Sequence, residues 1–398
     1  LTLDPDAVRA LAAQHGTPLY VYDGAALRGR VGEFRAAFPR ELELLYAVKA
    51  NACPDVVALL SELTDGLDVA STGELALADE FLPPGKRLGV TGPAKPDPLV
   101  AYSGPDAVFM LESLEELAAI ERLRPGRTRA LVRVSPSARG AGFAVEMGGG
   151  RATPFGFDEE ALDAVAPALR AAHDVGRIEL LGVHVHAGSQ TRSWRRVAEH
   201  FARTFAIAAR LEALLGLRLP LVDLGGGLGA RQTDADAPLA LAPLGRALAE
   251  QLAAHTSAVG HAVTPILELG RALVGEAGTY VTRVVRVKAS RGERVVVVDG
   301  GVHHLALAST WFGPRERPRP PIVALGGPPD APHAPATITG VLCTPLDTLG
   351  VDVPLPPLAP GSLLAFRFVG AYALGLSPVD FLGHPRPAQV LVDPSTAR

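Results

Sequence analysis

The stretch LLYAVKANACPD, Leu44 to Asp55, sets a lysine inside an apolar, strand-like run. Lysine is scarce in this chain. Of the 38 Lys and Arg residues only Lys49, Lys86, Lys95 and Lys288 are lysines, and the last three lie in polar or turn-rich surroundings. Lys49 follows Tyr46, Ala47 and Val48, so its amine is expected to be desolvated. Desolvation disfavours an ammonium, and a neutral amine attacks carbonyls to give a Schiff base. The alternative is a lysine that snorkels to a rim or pairs with an acid. On this stretch alone both readings stand.

Other chemistry-bearing residues fall where apolar runs end. Asp68 and Arg133 lie in such runs, and HVHAGSQ (His184 to Gln190), DLGGGLG (Asp223 to Gly229) and ELGR (Glu268 to Arg271) follow others. Gly225, Gly226 and Gly227 would let backbone N–H groups approach an anion closely, although a glycine run is also an ordinary flexible turn. Ser189 adds a hydroxyl donor and Arg271 a charge. His186 reads equally as a satisfied core histidine, and Glu268 as a mouth acid paired with Arg271. A Schiff-base lysine, a phosphate cradle and a buried carboxylate together fit one cofactor, pyridoxal phosphate: the carboxylate would keep the ring nitrogen protonated so that the ring accepts electrons.

The elements that must position these residues are legible between 44 and 270. Apolar strands recur as LLYAV, GLDVA, RLGVT, AVFML, ALVRV, IELLGVHVH, LPLVDL and TPILEL. Helical periods separate most of them, among them PDVVALLSEL, TGELALADEF, SLEELAAIERL, DEEALDAVAPALRAAH and RRVAEHFARTFAIAARLEALLG. Eight strands alternating with helices read as a (β/α)8 TIM barrel, in which functional groups cluster at the C-terminal strand ends. A doubly wound open sheet is the runner-up, since a strand count does not show closure. Beyond about 275 the period changes to strands, TYVTRVVRVKAS, RVVVVDGG and LLAFRFVGAYA, which predicts a C-terminal β-domain. The strand-like TPLYVYD near the N-terminus could pair with that sheet. The expected division is a barrel over 25–270 and a β-domain made of 1–24 and 271–398.

YAVKAN, HVHAGSQ, LGGGLG, ELGR, LCTPLD and GAY stand in the order seen in the fold-type III pyridoxal-phosphate decarboxylases, the family of the diaminopimelate, ornithine and arginine decarboxylases. The chain resembles that family from about residue 20 to 393. The resemblance implies an alanine racemase/ornithine decarboxylase-like architecture and a homodimer that decarboxylates a small amino-acid substrate. It implies that Lys49 takes the cofactor aldehyde, His186 stacks on the ring and Glu268 meets the ring nitrogen. Ser189, Gly225, Gly226, Gly227, Gly270, Arg271 and Tyr372 would surround the phosphate, with Asp68 and Arg133 supporting the ring. Cys343 would come from the second subunit as a proton donor, and His303, Thr344 and Asp347 would contact substrate. The motif cysteine is followed by Thr344 and Pro345, where diaminopimelate decarboxylases carry an acid that grips the far amine of their substrate. DGGVHHLALASTWFG, Asp299 to Gly313, replaces the arginine-containing stretch that binds a distal carboxylate, and ELGR stands for the usual EPGR. MGGGRATPFGFDEE, DGGVHH, LCTPLD and SPVDFLGHPRPAQVLV look like a narrower branch, which includes the exosortase-associated decarboxylases and enzymes acting on an aminoacyl group held by an acyl-carrier protein in natural-product pathways. A glutamyl- or aspartyl-type thioester is the expected substrate, and a free amino acid such as diaminopimelate or ornithine the alternative. Arginines in GPRERPRP would then face an acidic carrier, or simply form a solvated loop. A non-catalytic pyridoxal-phosphate carrier and an amino-acid racemase stay open as readings of another class.

Composition narrows the field without choosing. The chain has 398 residues, 48% apolar and 20% charged, with a formal net charge of −4. That charge gives no footprint for nucleic acid or an anionic membrane. Cys53 and Cys343 are too few for a disulfide framework, so a reducing cytoplasm is expected. No metal-ligand spacing stands out. No apolar run is long enough to span a bilayer, and the opening LTLDPDAVRALAAQHG lacks the basic and apolar regions of a secretion signal.

Overall fold

The computed structural model describes residues 3–137, 150–309, 318–327 and 330–393, and the backbone of 145 and 146. Residues 147–149 of MGGGRATPFGFDEE, 310–313 of DGGVHHLALASTWFG and 313–317 of GPRERPRP lie outside the described residues. The chain divides into one unit of 30–230 with 238–272, and another of 1–29, 231–237 and 273–398.

In the first unit eight short apolar strands run parallel: Glu43–Ala47, Gly66–Val69, Arg87–Val90, Ala107–Leu111, Thr128–Ser135, Ile178–His184, Leu221–Asp223 and Thr264–Leu269. Each pairs with the next, and Thr264–Leu269 returns to Glu43–Ala47, so the sheet closes into a barrel. Closure rules out the open doubly wound sheet. Helices Pro54–Leu63, Thr72–Phe81, Leu114–Leu123, Leu162–Asp174 and Trp194–Leu215 occupy the expected helical periods. Leu241–Val259 is a further helix between the seventh and eighth strands. Ser71 and Ser113 cap two of these helices by accepting the N–H of Glu74 and Glu116, whose carboxylates reach back to the N–H of Ala70 and Glu112. Such reciprocal caps fix the angle at which strand turns into helix.

Side-chain alternation along the strands places the chemistry. Leu45, Val108, Met110, Leu131, Leu221 and Ile266 pack into one buried apolar cluster drawn from five strands. Two residues further along the same strand faces stand Glu112, Arg133, Asp223 and Glu268, because a strand repeats its face every second residue. One face therefore carries an apolar layer and, toward the C-terminal strand ends, a polar layer above it.

The second unit is a curled, mostly antiparallel sheet. Ile322–Leu325, Leu363–Arg367, Gly278–Ser290, Glu293–Val298, Ala334–Thr339 and Thr348–Leu355 follow one another across it. The N-terminal strand Leu19–Asp23 lies antiparallel to Gly278–Ser290 and parallel to Ala388–Val392. Helix Pro5–His15, which the sequence reading passed over, supplies Val8 and Ala12 to a cluster with Leu19, Val21, Val281 and Ala365. Among the described residues no helix is long and apolar enough to cross a membrane.

Candidate active site

Lys49 lies in a single 3-10 turn, Val48–Ala50, just past the first barrel strand. Its Nζ is 3.0 Å from Oδ2 of Asp68 on the second strand, and its side chain is 37% exposed. The expectation of a desolvated amine is thereby corrected. The apolar neighbours Ala47 and Val48 are buried, but the turn carries Lys49 out of the strand toward solvent and an acid. The buried lysine is Lys95, 2% exposed, which donates to the carbonyls of Gly92 and Met110 and to Glu116. Three convergent acceptors make its burial tolerable.

Asp68 is buried, and its Oδ1 has no hydrogen-bond partner. Burial, reinforced by the charge of Glu268 and opposed by Lys49, raises its pKa to about 7. Arg133 on the fifth strand is also buried. Its Nη1 is 2.8 Å from Oε1 of Glu112, and its guanidinium lies 4.7 Å from the centroid of the Phe155 ring. Glu112 also accepts the N–H of Gly92 and Gly156, so it ties three loops to Arg133.

The late strands hold a denser cluster. His184 and Asp223 end the sixth and seventh strands and Glu268 is next to last in the eighth, all buried, with one polar atom from each within 4.8 Å of the others. At that spacing two carboxylates repel by about 3–4 kcal/mol at an effective dielectric of 20, enough to keep a proton on one of them. Asp223 is that one: burial and then Glu268 push its pKa well above the carboxylate range. Glu268 keeps its charge. Burial opposes that ionisation, but His184 foremost, with its hydrogen bond at 3.2 Å, and then Lys49 outweigh it and hold the pKa well below the usual range. Glu268 thus pairs with His184, and not as a mouth acid with Arg271 as one of the two readings had it, and its second oxygen, Oε1, is buried with no partner.

His186, half-buried, accepts the N–H of Gly226 at Nδ1 over 3.1 Å. Desolvation and then the Lys49 ammonium push its pKa well below the imidazole range, so the ring is neutral. Gly225 has a φ of +64° and Gly227 of +87°, the left-handed region that favours glycine. A Cβ on Gly226 would stand 2.2 Å from the Glu268 carbonyl oxygen, which fixes glycine there by close approach alone. Thr191 donates to the Gly227 carbonyl, bringing the segment after Ser189 onto the glycine loop. Gly270 links the eighth strand to the short helix that Arg271 opens. The barrel therefore gathers Lys49, Asp68, His186 and Glu268 into one electrostatically linked group, with the glycine loop against His186 and Glu268.

In the sheet unit Cys343 is an exposed free thiol, and Tyr372 is half-buried with a φ of +54°. Thr344 is half-buried and accepts the Leu346 N–H. Asp347 is 2% exposed, and its two oxygens accept the N–H of Val302 and Leu342 at 2.7 Å each. It braces the segment carrying Cys343. His303 is 0% exposed, and its ring lies against those of His304 and His384, tilted by 43° to each. Within this unit neither Asp347 nor His303 offers a surface to a substrate. Sequence reasoning assigned nothing to His184, Asp223, Glu112 or Lys95. The alternation in HVH does carry a signal for His184, since residues i and i+2 of a strand share a face.

Residues 25–275 match the family described as pyridoxal-dependent decarboxylase, pyridoxal binding domain. The L-glutamyl-[BtrI acyl-carrier protein] decarboxylase of Niallia circulans is 33% identical over 98% of this chain and 92% of its own length. The diaminopimelate decarboxylase of Aquifex aeolicus is 30% identical over 99% of this chain and 90% of its own. The crystal structure of diaminopimelate decarboxylase from M. jannaschi superposes with a TM-score of 0.87 at 25% identity, covering 97% of this chain and 89% of that one. A family match across more than half the chain, with relatives of this identity along nearly all of it, places the protein among the pyridoxal-phosphate-dependent decarboxylases.

Proposed function

We propose that this decarboxylase removes the α-carboxylate of an amino acid, glutamyl or aspartyl in type, held as a thioester on an acyl-carrier protein, and that it acts as a homodimer. The observation that carries the reading is the likeness, along 98% of the chain, to a decarboxylase named for a carrier-bound glutamyl substrate. Thr344 supports it, because a thioester presents no distal charged group for an acid at that position to grip.

The barrel residues fit pyridoxal phosphate. Glu268 is a buried anion with one oxygen unpartnered, and a protonated ring nitrogen is the cation that such a group lacks. Lys49 presents its amine beside Asp68, suited to holding an aldehyde. Gly225 to Gly227, Ser189 and Arg271 suit a phosphate, and neutral His186 offers a flat, uncharged ring. Bound there, the cofactor supplies an electron-accepting ring for the electron pair left at Cα when carbon dioxide departs. Glu268 keeps the proton on the ring nitrogen. Arg133, held by Glu112 and Phe155, fixes the wall beside it. Cys343 of the partner subunit delivers a proton to Cα. A carrier and its pantetheine arm add binding remote from the reacting carbon, which can orient the scissile carboxylate in the transition state.

The test compares free glutamate and aspartate, their pantetheine thioesters and the loaded carrier, read by carbon dioxide release and intact mass. The loaded carrier should be turned over at least tenfold more efficiently than any free acid, in line with a remote contribution of about 1.4 kcal/mol or more. Equal efficiency on free diaminopimelate or ornithine would instead favour the second reading, a free amino-acid decarboxylase, which the 30% identity to the Aquifex enzyme supports.

A further inference from the structure

We infer that His184 is a positioning residue for the cofactor, acting through Glu268: it takes one carboxylate oxygen and leaves the other aimed at the ring nitrogen. The inference rests on the assignment of Glu268 to that nitrogen.

Three observations carry it. His184 Nε2 lies 3.2 Å from Glu268 Oε2, and both side chains are buried. His184 Nδ1 has no partner, so the proton belongs on Nε2, where a carboxylate accepts it. Glu268 Oε1, also without a partner, is the only oxygen of that carboxylate left for another donor. The backbone fixes the pairing, since His184 is in register with Asp223 on the neighbouring strand and the Glu268 N–H donates to the Gly225 carbonyl. A carboxylate bonded at one oxygen cannot rotate freely about its terminal torsion. Without His184, Glu268 would face Asp223 and Asp68 across the barrel with only the Lys49 ammonium to favour its charge, beside a neutral His186. Those five groups decide whether Glu268 stays ionised, and His184 is the one that touches it.

The experiment uses the cofactor-loaded enzyme and four variants: His184→Phe, His184→Asn, His184→Gln and Glu268→Gln. Phenylalanine removes the donor. Asparagine is too short to carry one to Glu268. Glutamine can restore a donor near Nε2. The readouts are the visible absorption of the bound cofactor against pH, its dissociation constant, and the acid limb of kcat/KM. In the Phe and Asn variants the pH at which the spectrum changes and the acid limb should both move up by about 1–2 units, the worth of one charge-assisted hydrogen bond. Glutamine should recover most of the shift. Adding Glu268→Gln to His184→Phe should cost less than the two single losses multiplied, because the residues act as one unit. A wild-type spectrum and pH profile in whichever of the Phe and Asn variants folds, with Glu268→Gln clearly altered, overturns the inference alone. An unaltered spectrum in Glu268→Gln overturns the assignment of Glu268 and the inference with it.

Discussion

At the scale of single residues, the decisive contrast is between two lysines. Lys49 sits in an apolar run yet reaches solvent and Asp68, whereas Lys95 sits in the turn-rich GPAKPD and is buried. The local pattern could not tell them apart, because the acceptors that bury Lys95 come from Met110 and Glu116, well along the chain. Borohydride reduction of the cofactor-loaded protein should fix the label on Lys49, read by peptide mass, and a label on Lys95 would refute the site. Asp68 gives a second prediction. With its pKa raised to about 7, first by burial and then by Glu268, it stays protonated in the folded protein between pH 4 and 7 while the unfolded chain ionises. Its contribution to stability therefore falls as pH rises through that window. In the cofactor-free protein, Asp68→Asn should gain on the parent by on the order of 1–3 kcal/mol between pH 4 and 7, after allowing for the lost contact to Lys49. A difference in urea midpoint that stays flat with pH would contradict this.

At the scale of elements, strand and helix periods were legible because each barrel strand is a short apolar run and the helices between them repeat their apolar residues at helical spacing, with side-chain caps at Ser71 and Ser113. The helices Pro5–His15, Gly24–Ala37 and Leu241–Val259 were passed over. Gly24–Ala37 holds two glycines after its first, which weakens its helical pattern. Asp347 was out of reach for another reason: its role depends on the N–H groups of Val302 and Leu342, which only the folded sheet unit brings to it. Two glycines separate structure from site. A Cβ on Gly182 would stand 1.8 Å from the Leu221 carbonyl oxygen, between the sixth and seventh strands, and one on Gly226 would strike the Glu268 carbonyl. Gly182→Ala should lower stability by about 1–3 kcal/mol or more, with a matching loss of folded yield. Gly226→Ala should weaken cofactor binding by a larger factor than its stability loss explains. Thermal melts and cofactor titrations of the two variants check the split, and identical behaviour would argue against a special place for the glycine loop.

At the scale of the whole molecule, two predictions concern assembly and acid. If Cys343 serves the partner's barrel, inactive Lys49→Ala and Cys343→Ala chains mixed under exchange should recover about a quarter of parental activity, because half the dimers then hold one intact site of two. No recovery with exchange demonstrated would place the thiol's work within its own chain or nowhere. His200, His303 and His304 are buried with pKa values lowered to about 4, in each case chiefly by burial. They stay neutral when folded and protonate when unfolded, so their contribution is whole above about pH 6.5 and is lost as pH falls toward 4. Asp68 and Asp223, raised by burial, work in the opposite sense, and His186, lowered chiefly by burial, adds to the three histidines. Replacing one of these histidines with an uncharged residue should therefore flatten the fall of unfolding free energy between pH 7 and 5, by up to ~3 kcal/mol per histidine across the full window, read by urea titration. The N-terminal strand Leu19–Asp23 has a consequence of another kind. Its two neighbours, Gly278–Ser290 and Ala388–Val392, are both made after the last barrel strand, and the second comes at the very end of the described chain. On a ribosome adding about 5–20 residues per second, this strand waits while the chain between it and Ala388–Val392 is made, roughly 20–70 s, before its sheet is complete. The barrel sequence emerges complete while an apolar strand at the front of the chain still has open edges, which makes the nascent protein a client for whatever covers such edges in the cell.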